Sequence, residues 1–168
     1  MGSSRTQRWS LQVYGRLPSM MRQRLVRAFK PSYTVGSMTA VTRSDGAVLH
    51  VRHSYASHWA LPGGLVNRRE DVATGAVRET REEVGIEVVL HGQPSVTVDP
   101  IKQVVRVIYR AGLAEGVVAT DAHPASAEIV EVAWLDASSD ATITPESREA
   151  LEALERSEGV ATGRTPGQ

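Results

Sequence analysis

Cysteine is absent from the 168 residues. That absence excludes disulfide frameworks, cysteine-zinc sites, iron–sulfur clusters and thiol nucleophiles. No apolar run approaches the ~18–20 residues that span a bilayer. The N-terminus lacks the apolar stretch of a secretory signal, so a cytoplasmic setting is expected. Net charge is also missing: 19 Lys and Arg balance 19 Asp and Glu. This excludes a polycation that coats nucleic acid and an acidic tail protein. Aromatics are few, with one Phe, three Trp and four Tyr, and most are expected in the core. What is there suffices for one domain with a buried core, since 41% of the residues are hydrophobic and 23% charged.

The balanced charge is unevenly spread. Residues 1–44 carry eight basic side chains and no acid, whereas 124–168 carry nine acids and three Arg. Leu11, Tyr14, Leu17, Met21, Leu25, Val26 and Phe29 recur at roughly helical spacing. The spacing predicts a basic N-terminal extension over 1–30 with a helix from Ser19 to Phe29, ended by Pro31. The main domain is expected over 31–157 and a flexible tail over 158–168. Arg out to solvent on a packing or dimer-forming helix is the favoured reading of the extension. Contact with RNA or a membrane surface is the less favoured one.

Within the domain, strands are expected at Tyr33–Thr42, Ala47–His53, Ile86–Leu90, Gln103–Gly112 and Ile129–Leu135. Ser44-Asp45-Gly46 marks a hairpin turn, Ser54–Arg69 a loop, and the stretch after Leu90 a Gly/Pro loop. Helices are expected at Glu70–Val84 and from Pro145, with Thr144 as N-cap, to about Arg156. Strands around a central helix with a second helix near the end give an α/β (α+β) sandwich rather than a regular βαβ series.

The chemistry lies in the central helix. At ~100° per residue, Val72, Ala73, Ala76, Val77, Thr80 and Val84 fall within an arc of roughly 140° and form its core face. Glu79, Glu82 and Glu83, at i, i+3 and i+4, share a different arc. A charged helix face is commonly just solvated. Carboxylates one turn apart repel each other, however, and helix stability does not ask for them. A hard divalent cation does, and Mg²⁺ also accepts phosphate oxygens, which points to phosphate chemistry.

The surrounding letters decide between these readings. The pattern G-x5-E-x7-R-E-U-x-E-E-x-G-U, with U a bulky apolar residue, is met by Gly64, Glu70, Arg78, Glu79, Glu82, Glu83, Gly85 and Ile86. Thr80 departs from the first U position and is expected to loosen the packing under the helix. This segment resembles the Nudix box, and the chain resembles the Nudix hydrolase family from about Ser32 to Arg156. Trp59-Ala-Leu-Pro-Gly-Gly and Val132-Ala-Trp134-Leu-Asp136 are similar to the family's flanking segments.

The resemblance implies a mixed sheet between helices and hydrolysis of a nucleoside diphosphate linked to another moiety. ADP-ribose or another nucleotide sugar, a nucleoside triphosphate and a dinucleoside polyphosphate are the candidates. It implies that Glu79, Glu82 and Glu83 ligate Mg²⁺ or Mn²⁺, and that one of them takes the proton of the attacking water. The Gly63 carbonyl would be a further ligand, and so would a Glu outside the box, Glu128 first and Glu131 second. Gly64, Glu70, Arg78 and Gly85 would be structural, with Glu70 and Arg78 paired. Hydrolysis of RNA 5′ ends and nucleotide sensing without cleavage are the alternatives.

Arg52, Tyr55 and Trp59 are candidate substrate contacts, the two aromatics as stacking partners. Arg81 and Arg106 are candidate helpers for phosphate charge. The five His form no metal pair on a helix, but His53 and His58 flank the box loop and could touch substrate. Pro100, 15 residues beyond Gly85, resembles a feature of ADP-ribose pyrophosphatases.

Overall fold

The computed structural model describes residues 32–136 and 138–161, with side chains described as far as residue 157. The helix expected at Ser19–Phe29, the basic extension and residues 162–168 lie outside the described residues.

The first two described strands are joined by the expected tight turn but meet only at the Thr42–Val48 bridge and pass into different sheets, so the turn is a crossover and not a two-stranded hairpin. Strand β1 (Thr34–Val41) turns through Ser44-Asp45-Gly46 into β2 (Val48–His53). Gly46 takes φ +89°, the left-handed conformation that glycine adopts without steric penalty. The stretch expected as one loop contains two short strands, β3 (Trp59–Ala60) and β4 (Gly63–Leu65). Helix α1 (Val72–Val84) follows, then β5 (Val88–Asp99), β6 (Val104–Leu113), a single 3-10 turn, β7 (Ile129–Leu135) and helix α2 (Pro145–Ala161).

The strands form a four-stranded sheet in the order β4-β1-β6-β5 and a three-stranded sheet in the order β3-β2-β7. The first is mixed: β1 and β6 run parallel, while β4 and β5 pair antiparallel at the edges. Alternation along β1 divides the core. Val41 joins Leu49, Val51, Val84 and Ile86 in one cluster, against which α1 packs. Ala40 joins Leu61, Ile108, Ala150 and Leu154 in the other, under α2. The mixed sheet therefore lies between helices, as expected. Each fully buried Leu or Ile of these clusters contributes about 1.5–3 kcal/mol by leaving water.

Three differences from the sequence reading have local causes. Helix α1 starts at Val72, not Glu70, because Asp71 is the N-cap and its Oδ2 accepts from Thr74 N at 3.1 Å. Strand β5 runs on through Gly92 and Pro94. Gly92 takes φ +65° and the register slips between His91 and Ser95. That is a bulge, and the missing Pro94 N–H is tolerated because β5 is an edge strand. Helix α2 continues past Arg156 to Ala161, into the stretch expected to be tail. Its start agrees with expectation, since Ser147 N donates to Thr144 Oγ1 at 3.3 Å.

Thr80 does not loosen the seam between α1 and the sheet. It is fully buried, donates to Ala76 O at 2.8 Å and lies 2.7 Å from the equally buried Thr39 Oγ1. With its own proton committed to Ala76, Thr80 accepts from Thr39. A polar residue on the helix is matched by a polar residue on β1.

Candidate active site

The site is built where β4 passes α1. Gly63 pairs with Met38 of β1, and a side chain at 63 would place its Cβ 2.3 Å from Ser37 O. Glycine is required there by close approach of the backbones. A Cβ at Gly64 would lie 2.5 Å from the Glu79 carboxyl carbon. Gly63 thus lets β4 lie close against β1, and Gly64 lets the Glu79 carboxylate come against the loop. At the far end Gly85, at φ +71°, closes α1 with its N–H on Arg81 O at 2.9 Å.

Arg78 organises the cluster. Its Nε donates to Glu70 Oε1 at 2.7 Å and its Nη2 to Glu70 Oε2 at 3.0 Å, a two-pronged clamp between loop and helix. Glu70 Oε2 also accepts from Asn67 N at 2.7 Å. The Arg78 bond, followed by this N–H, holds the Glu70 carboxyl down to about 2. The Glu70–Arg78 pair implied by the box is therefore present. Arg78 Nη1 reaches Glu79 Oε1 at 2.7 Å and Glu82 Oε2 at 2.9 Å.

Glu83 is treated differently. It is 8% exposed, and its Oε2 accepts from Gly63 N at 2.9 Å. Burial pushes its carboxyl up to about 7; the Gly63 N–H opposes this, and the charges of Glu79, Glu128 and Glu82 add to it. Arg78 makes no bond to Glu83, so the buried carboxylate faces three others with no Arg or Lys paired to it among the described residues, the His53 imidazole lying 3.6 Å away.

Glu128 comes from outside the helix, through two backbone bonds. Ala125 N donates to Glu83 O at 3.0 Å and Ser54 N to Glu128 O at 2.8 Å. They bind the loop before β7 to the end of α1 and to the end of β2. The second choice, Glu131, is held by Arg52: Arg52 Nε donates to Glu131 Oε2 at 3.0 Å across the β2–β7 pair. Arg52 is thereby engaged in the sheet and is not among the residues lining the cleft beside the box loop.

That cleft, of about 240 Å³, opens against Gly63 and Gly64. Met38, Leu61 and Val104 give it apolar walls; His53, Arg106, Thr144 and Glu146 give it polar ones. Ser147 fixes its shape, being fully buried with its Oγ accepting from Leu61 N at 2.9 Å. This bond ties the start of α2 to the box loop. Arg106 forms no hydrogen bond or ion pair with any described residue, although its charge reaches Asp99, Lys102 and Glu146.

The remaining candidates divide. Tyr55 is 75% exposed, and its ring lies 5.1 Å from that of His53. Burial, then the charges of Glu128 and Glu83, raise the Tyr55 hydroxyl. Trp59 is half-buried in β3, its backbone N–H bonded to Thr142 O at 3.0 Å, and it does not line the cleft. Arg81 pairs with Glu87 at 3.6 Å on the outer face of α1. His58 is exposed and lines a separate groove with Arg148 and Glu149. Sequence reading missed Met38, Leu61, Thr144, Glu146 and Ser147 as cleft residues. The capping signal at Thr144 marked the start of α2 but not what that start faces.

Among the described residues, no three His, Asp or Glu side chains converge as a ready-made cation cage. Arg78 keeps Glu79 and Glu82 on its own side. The donor set still fits a hard divalent cation: it is carboxylate oxygen throughout, and its most buried member, Glu83, has no Arg or Lys partner among the described residues. The described residues include no helix long and apolar enough to cross a membrane.

The NUDIX domain family model matches residues 32–154. A MutT-like protein of Streptomyces ambofaciens is 32% identical over 105 residues, which make up 62% of this chain and 65% of that protein. The chain thus spans just under two thirds of that relative's length. A NUDIX hydrolase from Nitrosomonas europaea superposes with a TM-score of 0.64 at 23% identity, covering 77% of this chain and 75% of the other. A MutT NUDIX hydrolase from Burkholderia pseudomallei does so with a TM-score of 0.59 at 26% identity, covering 74% of this chain and 99% of the other.

Proposed function

Because this chain belongs to the NUDIX family, we propose that it is a metal-dependent pyrophosphohydrolase acting on a nucleoside diphosphate linked to another moiety. One observation carries the reading. The carboxylate row of α1 is pressed against Gly63 and Gly64, with Glu83 bonded to Gly63 N at 2.9 Å and the cleft opening at the same two glycines. A solvated helix face needs neither the burial of Glu83 nor a glycine at 64.

Glu79, Glu82, Glu83, Glu128 and the Gly63 carbonyl would hold Mg²⁺ or Mn²⁺. Such a cation, when bound, neutralises phosphate oxygens and acidifies a water. The chain's residues do the rest. Arg78, clamped by Glu70, fixes Glu79 and Glu82 relative to the loop. One of the box carboxylates accepts the proton of the attacking water as its oxygen bonds to phosphorus and the other phosphate leaves. Met38 and Leu61 cover the apolar part of the substrate in the cleft, and Arg106 offers donors to its acceptors.

The test is phosphate release from nucleotide sugars, nucleoside triphosphates and dinucleoside polyphosphates in Mg²⁺ or Mn²⁺. Wild type is expected to cleave at least one class. Glu82→Gln, an exposed position, is expected to fold normally and lose at least a hundredfold in kcat. Tight nucleotide binding without turnover in either metal contradicts the proposal.

A further inference from the structure

We infer that His53 is a substrate-contact residue whose imidazole hydrogen-bonds a phosphoryl oxygen in the cleft, with the Tyr55 ring as its support. The inference rests on the hydrolase reading above and deepens it.

Alternation along β2 places Leu49, Val51 and His53 on one face. The first two are fully buried in the cluster beneath α1. His53 stands where this face emerges from the core, its side chain 16% exposed. Packing alone would be served there by another Val or Leu. The sheet is irregular at this point: Arg52 pairs with Glu131, but His53 pairs with Ile129, so Val130 is passed over. Beyond the bulge Ser54 bonds Glu128 O at 2.8 Å, and the chain turns toward the carboxylates.

His53 Nε2 then lies 3.6 Å from Glu83 Oε1, too far for a hydrogen bond. The imidazole makes no hydrogen bond with any described residue, yet it lines the cleft together with Gly63, Gly64 and Leu61. Tyr55 packs against it with 5.1 Å between ring centroids and 36° between ring planes. An imidazole that is held in place, makes no hydrogen bond among the described residues and lies between a buried carboxylate and an open cleft has donor capacity left for a ligand. A phosphoryl oxygen next to the carboxylate row is the acceptor that the proposed substrate brings to that position.

His53→Ala, His53→Gln and Tyr55→Ala separate this role from a structural one. The readouts are kcat and KM on the best substrate, the half-saturating Mg²⁺ concentration, and ADP affinity by calorimetry in EDTA. His53→Ala is expected to raise KM at least tenfold, with kcat within about threefold and half-saturating Mg²⁺ unchanged. The amide of His53→Gln keeps an N–H donor and should recover part of the loss. Tyr55→Ala, at an exposed position that tolerates truncation, should raise KM about threefold. ADP should bind His53→Ala more weakly than wild type without metal. Unchanged KM and ADP affinity in both His53→Ala and Tyr55→Ala would overturn the inference. So would a loss confined to kcat and metal half-saturation, which would make His53 a support for Glu83 alone. A wild type that cleaves nothing in the panel refutes the hydrolase reading, while the ADP comparison still decides on His53.

Discussion

Residues of one chemical type have been given different environments here. Glu70 is clamped by Arg78, and its carboxyl is held down to about 2. Glu83 is buried, and its carboxyl is pushed up to about 7. The two cases have opposite pH signatures. Glu70 has a depressed value in the fold, so its contribution is complete above its ordinary value of 4.5 and is lost as pH falls toward about 2. Melting temperature should therefore fall over this window in wild type, and fall less in Glu70→Gln. Glu83 has a raised value, so metal-free stability should decline as pH rises from 4.5 to about 7. A difference of that size corresponds to ~3 kcal/mol. At pH 8 without metal, Glu83→Gln should melt higher than wild type, and Mg²⁺ should raise the melting temperature of wild type but not of the variant. Differential scanning fluorimetry reads both. The spacing of Glu79, Glu82 and Glu83 was legible in the sequence because it is local to one helix. That Glu83 alone is buried was not, because its burial comes from β4, the loop before β7 and the end of β2.

At the scale of elements, the seam between α1 and β1 depends on matched polar groups. Thr80→Val removes the acceptor of the buried Thr39 hydroxyl and should cost about 1–3 kcal/mol in urea denaturation. Thr39→Val with Thr80→Val removes both partners and should recover most of that loss. Additive costs of the two single changes would show that the pair is not coupled. The sequence marked Thr80 as a departure from the box but could not pair it with a residue 41 positions away. The same limit explains β5. Gly92 and Pro94 punctuate the sequence as a loop, whereas pairing with β6 carries the strand past them on an edge where a bulge is tolerated. Elements with local signals were legible: the turn at Ser44-Asp45-Gly46, the cap at Thr144 and the apolar arc of α1, whereas the sequence did not show that β1 and β2 part into different sheets after that turn.

For the molecule as a whole, one mixed sheet between two helices was legible from the order of elements and from the box. The cleft was not, because it is assembled from β1, β6, the loop before β4 and the start of α2. Met38, Leu61, Arg106 and Ser147 lie far apart in sequence and meet only when the sheet closes. The bond from Arg52 that holds Glu131 in the sheet was likewise invisible in the sequence, because it joins residues 79 positions apart. The central claim is that the α1 carboxylates gather beside Gly63 to hold divalent cations against a pyrophosphate. Crystals soaked in Mn²⁺ test it by anomalous scattering. The account predicts a peak bounded by the carboxylates of Glu79, Glu82 and Glu83 within coordination distance, with Glu79 and Glu82 drawn partly away from Arg78. Full Mn²⁺ saturation with no peak at these side chains, or a peak elsewhere on the molecule, would contradict it.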